Sequence, residues 1–354
     1  MTKIAFYANN LTERGTAVAL YDYAEQNRKL LGHESVVLYD QTFAGNNAKV
    51  VEKFKAAFDL IPCNSFADAD RHLNAERCDL LYVIKAGKRD EMVSKTVATM
   101  VHSVFATTVR QLHGASYAYV SEWLSEHCTR GLVPWVPHIV TVGDTDDTLR
   151  RELNIPEEAM VFGCYGGRHS FDIDFVKDVA IPQALETMEQ TYFLFMNIEK
   201  FIDHPRVIFK AATADMGEKT AFINTCDAML HGRRRGETFG LAVGEFSVRD
   251  KPVLTFGGSK ERAHLGVLGD TAQVYHSAED LVALIKTFDR VAPTAKQAYQ
   301  QHFSPEPVMR RFEQCLITPA QAGDLDGARK AIGAQRWNPV LMARPKLRKI
   351  MGPY

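Results

Sequence analysis

Two glutamates separated by seven residues, Glu237 and Glu245, stand in the passage CDAMLHGRRRGETFGLAVGEFSVRDKPVLTF at residues 226–256. If DAMLH is a strand and a helix begins near Phe239 or Gly240, the free N–H groups of that first turn form an anion site suited to a diphosphate. Gly236 and Gly240 let the backbone approach closely, and Thr238, Phe239 and Gly240, at the helix start, are expected to bind the diphosphate ligand. Glu237 then sits just before the helix. Glu245 lies about five residues inside it, roughly 7.5 Å farther along at 1.5 Å per residue. The two carboxylates would bracket one diphosphate, each accepting hydroxyl hydrogens from a sugar at either end. A solvated helix start with two ordinary acidic residues is the competing reading.

Other residues have weaker claims to chemistry. Arg168 follows Gly163, Gly166 and Gly167 in GCYGGR, where a guanidinium can meet a diphosphate bidentately as charge develops on it. His102 ends the run TMVH and would point toward the crevice where doubly wound sheets bind ligands, or else be satisfied within the strand end. Gly15, in ERGT after the first strand, permits close backbone approach or merely a turn into a helix. Asp144-Thr145-Asp146 and Asp172-Ile173-Asp174 imitate a metal-binding Asp-x-Asp, but both read better as helix capping and helix-start acids. No His/Cys cluster has zinc spacing and no phosphate-binding G-x-x-x-x-G-K-[ST] loop is present. No metal or other cofactor is therefore expected.

These residues need a frame of βα units. At 354 residues the chain exceeds what one core spans, about 250 to 300 residues, so two domains are expected. Short β-branched or aromatic runs alternate with amphipathic stretches, as in parallel sheets. Strands are predicted at 3–8, 35–39, 59–62, 79–84, 96–102 and 118–121. A helix over 16–31 would bury Val18, Leu20, Tyr21, Ala24 and Leu31 and stop at Gly32. After the polar passage TVGDTDDTLRRELNIP at 141–156 the alternation restarts, with strands at 160–165, 192–197, 206–209, 227–231 and 252–256. The reading is α/β: one doubly wound domain at 1–145, and a second at 146–317 with a closing helix at 304–316 that begins Ser304-Pro305-Glu306.

Composition narrows the function. Apolar residues at 46% and charged residues at 24% are average for a globular chain. With 42 basic against 43 acidic side chains the net charge is −1, which gives no field for a polyanion, so nucleic acid is not expected as the partner. Six cysteines without a CxxC pair read as reduced thiols, and no window approaches 18 apolar residues. A cytoplasmic location is expected. The segment 318–354 turns basic: after Asp326 it carries Arg329, Lys330, Arg336, Arg344, Lys346, Arg348 and Lys349 with Trp337, Leu341, Met342 and Leu347 between them. It is an ordinary basic tail or a peripheral contact for an anionic membrane face.

The Glu237–Glu245 passage resembles the E-x7-E signature of retaining GT-B glycosyltransferases of the large family-4 type. The motif order IAFYANNLTERGTAVALYDYAEQNRKLLGHESVVLY, VHSVF, YAYVSEWLSE, VPWVPHIV, VFGCYGGR, CDAMLHGRRRGETFGLAVGEF and KPVLTFGG follows that family over about residues 1–315. The resemblance implies two Rossmann-like domains facing an interdomain cleft, with a nucleotide-sugar donor held by the second domain. The sugar would pass with retention to a hydroxyl of a glycan, lipid-linked or small-molecule acceptor on the first. It implies that Glu237 contacts the transferred sugar, that Glu245 contacts the ribose, and that His102 meets the donor sugar or reaction centre. The family follows its arginine with a lysine, whereas here the next lysine after Arg168 is Lys177. Lys210, or one of Arg233, Arg234 and Arg235, would have to supply the second cation. The family's two adjacent glycines become Gly15-Thr16. A nucleotide-sugar epimerase or hydrolase on the same fold, or a noncatalytic nucleotide-sugar-binding protein, is the alternative.

Overall fold

The computed structural model describes residues 1–13 and 15–323, and the basic segment considered above lies outside them except for its first six residues. Two compact units divide the chain, Met1–Ile139 continued from Pro305, and Val140–Ser304.

The first unit is built on six parallel strands, β1 (Lys3–Ala8), β2 (Glu34–Asp40), β3 (Asp59–Cys63), β4 (Leu80–Lys85), β5 (Ala98–Ser103) and β6 (Ser116–Tyr119), in the order β3-β2-β1-β4-β5-β6. Central strands covered on both faces read as continuous apolar runs, and LLYVIK of β4 is buried at every position. The strand expected at 118–121 slides back to 116–119, because Ser121 instead caps the helix Glu122–Thr129 by accepting from Leu124 N at 3.2 Å.

The helix Gly15–Lys29 buries Ala17, Ala19, Leu20, Tyr23, Ala24 and Asn27, a stripe turned from the expected one. Tyr23 decides the rotation: it is fully buried and its hydroxyl donates to Pro137 O at 2.6 Å. Tyr21 is half-buried and packs edge-on to Phe54 and Phe58.

The second unit repeats the plan. Its strands are β7 (Met160–Tyr165), β8 (Thr191–Met196), β9 (Val207–Lys210), β10 (Ala228–His231), β12 (Val253–Phe256) and β14 (Ala272–Tyr275), all parallel, in the order β14-β12-β10-β7-β8-β9. Counted from the first strand of each sheet the two orders are the same, that of a Rossmann sheet. A separate two-residue ladder pairs β11 (Gly236–Glu237) with β13 (Glu261–Arg262).

The helix expected to close the second domain differs in placement. Pro305–Phe312 belongs to the first unit, where Phe312 stacks on Tyr23 at 5.0 Å and meets Tyr82 at 5.2 Å. Its apolar face fits the aromatic cluster of Tyr23, on the helix Gly15–Lys29, and Tyr82, on β4, and an apolar stripe alone does not say which sheet will bury it. The change of unit falls at Ile139/Val140, at the start of the polar passage and six residues before the bound expected at 145/146. Among the described residues the cysteines are all free thiols, and no helix is long and apolar enough to cross a membrane.

Candidate functional site

Parallel strands end on one edge of their sheet, and a ligand crevice opens where the strand order reverses. In the second unit the reversal lies between β7 and β10. β7 ends at Tyr165 and continues into Gly166-Gly167-Arg168, while β10 ends at His231 and continues into HGRRRGETFG. The topology thus brings the Gly-Gly-Arg segment and the two-glutamate segment to neighbouring strand ends.

The backbone of Glu237 is fixed by the β11–β13 ladder, supported by Glu261 N donating to Arg235 O at 2.8 Å. Gly236 is required there: its φ is 78°, and a Cβ would come within 2.0 Å of Glu261 O. The carboxylate of Glu237 is 20% exposed. Arg233 Nη1 donates to both of its oxygens, at 2.9 and 2.8 Å, and His231 Nε2 lies 3.4 Å from Oε1. Burial pushes this carboxyl up, but the hydrogen bond from His231 and the Arg233 guanidinium outweigh it and hold it at about 2. Glu237 is ionised at neutral pH.

The helix Leu241–Val248 starts where expected. Gly240 is its N-cap at φ 94° and offers no capping side chain, so the first-turn N–H groups keep their capacity for an anion. Phe239 is buried and packs edge-on to Phe303 at 5.7 Å, so it and half-buried Thr238 fix the turn.

Glu245 lies in this helix and is only 2% exposed. Lys219 Nζ, from the helix Met216–Thr225, donates to its Oε1 at 2.6 Å and sits 5.8 Å over the Tyr165 ring. This lysine was missed in the sequence. It lies seven residues before the passage that begins at Cys226, and only its contact with Glu245 on another helix gives it a role.

Arg168 is 71% exposed and 3.5 Å from Glu199, an open guanidinium that a ligand can reach. Lys210 ends β9 on the sheet margin and pairs with Glu152 at 3.1 Å and Glu218 at 3.7 Å, away from the reversal. Of the arginine run, Arg234 bonds Asp174 and Arg235 bonds Glu261, each at 2.7 Å, while Arg233 alone grips Glu237.

His102 departs from its expected place. It is fully buried, with Nδ1 2.8 Å from Tyr82 Oη and Nε2 2.9 Å from Val136 O, and burial lowers its pKa to about 4. Neither nitrogen is left for a ligand, so it is a neutral core histidine. Gly15 is the exposed first residue of the helix after β1, one of the two strands flanking the reversal of the first sheet. The Asp-x-Asp segments are committed elsewhere: Asp146 accepts from Arg249, and Asp172 and Asp174 from Arg234. Among the described residues no three His, Cys, Asp or Glu side chains are grouped to hold a metal.

No protein-family model and no curated protein sequence matches the chain. Solved structures do. A glycosyltransferase from Rickettsia africae has a TM-score of 0.65 at 11% identity, covering 88% of this chain and 97% of that one. HepE from Anabaena, in complex with UDP and glucose, has a TM-score of 0.65 at 14% identity over 89% and 99%. A putative UDP-N-acetylglucosamine 2-epimerase from Listeria monocytogenes has a TM-score of 0.55 at 13% identity over 88% and 94%. At such identities the likeness bears on architecture, and it agrees with the two six-stranded sheets: the chain is an α/β protein of the GT-B fold.

Proposed function

We propose that the protein is a glycosyltransferase that moves a sugar from a nucleotide-diphosphate donor to a hydroxyl acceptor, with retention of anomeric configuration. One observation carries the reading: an ionised glutamate at the head of an uncapped helix, beside a Gly-Gly-Arg strand end at the sheet reversal. The diphosphate would rest on the first-turn N–H groups of Leu241–Val248, with Arg168 exchanging Glu199 for the leaving phosphates. Glu237 would take a hydroxyl of the transferred sugar, and Glu245 would take ribose hydroxyls with Lys219 holding its other oxygen. No side chain stands out as a nucleophile, so the rate would come from positioning and from charge set against the departing diphosphate. The UDP and glucose bound by HepE support UDP-sugars as the first donors to try.

Thermal melting with UDP, GDP, ADP and their sugars tests the donor. A ligand at 100 times its Kd adds about 2.7 kcal/mol of stability. No shift with any of them would remove the reading. The Listeria neighbour favours a nucleotide-sugar epimerase as second reading; such an enzyme alters the donor without added acceptor. A noncatalytic binder would be stabilised and turn nothing over.

Two results are expected at this site. Arg168→Ala should lower turnover about a hundredfold, the scale of one lost transition-state contact, while weakening donor binding much less. Wild-type kinetics would take Arg168 out of the mechanism. Activity should also survive EDTA, because a guanidinium and a helix end supply the positive charge. Complete loss restored by Mn²⁺ or Mg²⁺ would contradict this.

A further inference from the structure

Behind Glu237 runs a chain of side chains that the glutamate motif does not include. His231 and Thr255 are register partners on the adjacent strands β10 and β12, and His231 Nδ1 lies 2.9 Å from Thr255 Oγ1. Thr255 Oγ1 lies 3.1 Å from Nε2 of His264, in the helix Ala263–Leu268. All three residues are buried.

Hydrogen counting gives the chain one polarity. An ionised carboxylate only accepts, so His231 Nε2, facing Glu237 Oε1, carries a hydrogen. With Nδ1 bare, that atom accepts from the Thr255 hydroxyl, whose oxygen accepts from His264 Nε2–H. His264 Nδ1 is left as a bare acceptor. That atom is buried and makes no hydrogen bond among the described residues, and burial lowers the His264 pKa to about 3, which keeps the ring neutral. The reverse polarity would either turn the His231 Nε2 lone pair onto the carboxylate or need a hydrogen on both nitrogens of that ring. It would also require an N–H at His264 Nδ1 with nothing to receive it, the rarer kind of orphan.

The chain also supplies what Arg233 cannot. One guanidinium nitrogen shared between both carboxylate oxygens lies near their bisector, so it leaves the plane of the carboxylate free to twist. A lateral bond to Oε1, though long at 3.4 Å, sets that plane.

We infer that His231 is a positioning residue for Glu237, held as its Nε2–H tautomer by Thr255 and His264, so that Oε1 is fixed and Oε2 is left for a hydroxyl of the transferred sugar. The last clause rests on the proposed function; the tautomer does not.

Nitrogen-15 NMR of the free protein, labelled at histidine and assigned by loss of signal in His231→Gln, reads the tautomer directly. A protonated Nε2 and bare Nδ1 at His231 are expected, and an Nδ1–H ring would overturn the inference. His231→Leu should cut turnover about tenfold or more, the scale of losing a group that orients a ligating residue. Its affinity for the nucleoside diphosphate that stabilises the wild type, among UDP, GDP and ADP, should stay within twofold. His231→Gln, which returns an N–H near the Nε2 position, should restore most of the rate. Leu matching wild type, or Gln doing no better than Leu, would refute the positioning role. Thr255→Val removes only the hydroxyl and serves if His231→Leu does not fold: mixed tautomer signals and a several-fold slower reaction are expected, and an unchanged spectrum and rate would count against the chain. If the wild type turns over no nucleotide sugar, the proposed function fails, while the NMR result still decides whether His231 holds Glu237.

Discussion

Glu237→Gln is expected to reduce glycosyl transfer at least a hundredfold while leaving affinity for the free nucleoside diphosphate nearly unchanged. The substitution keeps the shape and removes the charge. In the wild type that charge is held by Arg233 and His231 at the start of the helix Leu241–Val248, and the carboxyl stays ionised down to a pH of about 2. A carboxylate that takes a sugar hydroxyl matters most when positive charge develops on the sugar, so its loss falls on turnover rather than on binding of the leaving group. One such electrostatic contact is worth on the order of a hundred- to a thousandfold. Single-turnover kinetics with calorimetry on the free diphosphate separate the two quantities. Equal losses in both would place Glu237 on the diphosphate and undo the assignment.

Glu245→Ala should show two effects. Glu245 is buried and pairs with the partly exposed Lys219, whose Nζ lies 2.6 Å away. Removing the carboxylate leaves an ammonium without its partner but within reach of solvent, at about 1–3 kcal/mol of fold stability. The same variant should weaken the nucleoside diphosphate by roughly 1.5–3 kcal/mol, the loss of a charged acceptor for ribose hydroxyls. The double variant Lys219→Met/Glu245→Met distinguishes them, since a buried ion pair replaced by apolar groups of similar size is often neutral. Denaturant unfolding should show most of the stability recovered, with nucleotide affinity still low. Recovery of both would make Glu245 a purely structural residue.

The limits of the sequence follow from what each signal measures. Apolar runs such as KIAFYA and MVFGCY gave β1 and β7 at their observed bounds, because strands buried on both faces need no partner to be recognised. Gly236 and Gly240 marked the turn before the helix, and both adopt positive φ there. What the sequence concealed depends on neighbours distant in the chain. Whether His102 faced a ligand or the core was decided by Tyr82 and Val136. Lys219 gained its meaning from Glu245, on another helix. Pro305–Phe312 carries a stripe that suits either sheet, and the aromatic cluster of Tyr23 and Tyr82 claims it. The chain from Glu237 to His264 needs β10 beside β12, a register that no local pattern states.

The proposed transfer of a sugar, with retention, from a nucleotide-diphosphate donor is tested at the anomeric carbon. Proton NMR of an α-linked nucleotide sugar incubated with the protein and a hydroxyl acceptor, or with water alone, follows the anomeric centre directly. Nucleoside diphosphate should appear in step with an α-configured product, and Glu237→Gln should slow both together. A donor that stays intact, a sugar epimerised while still on its nucleotide, or a β-anomer as first product would contradict it.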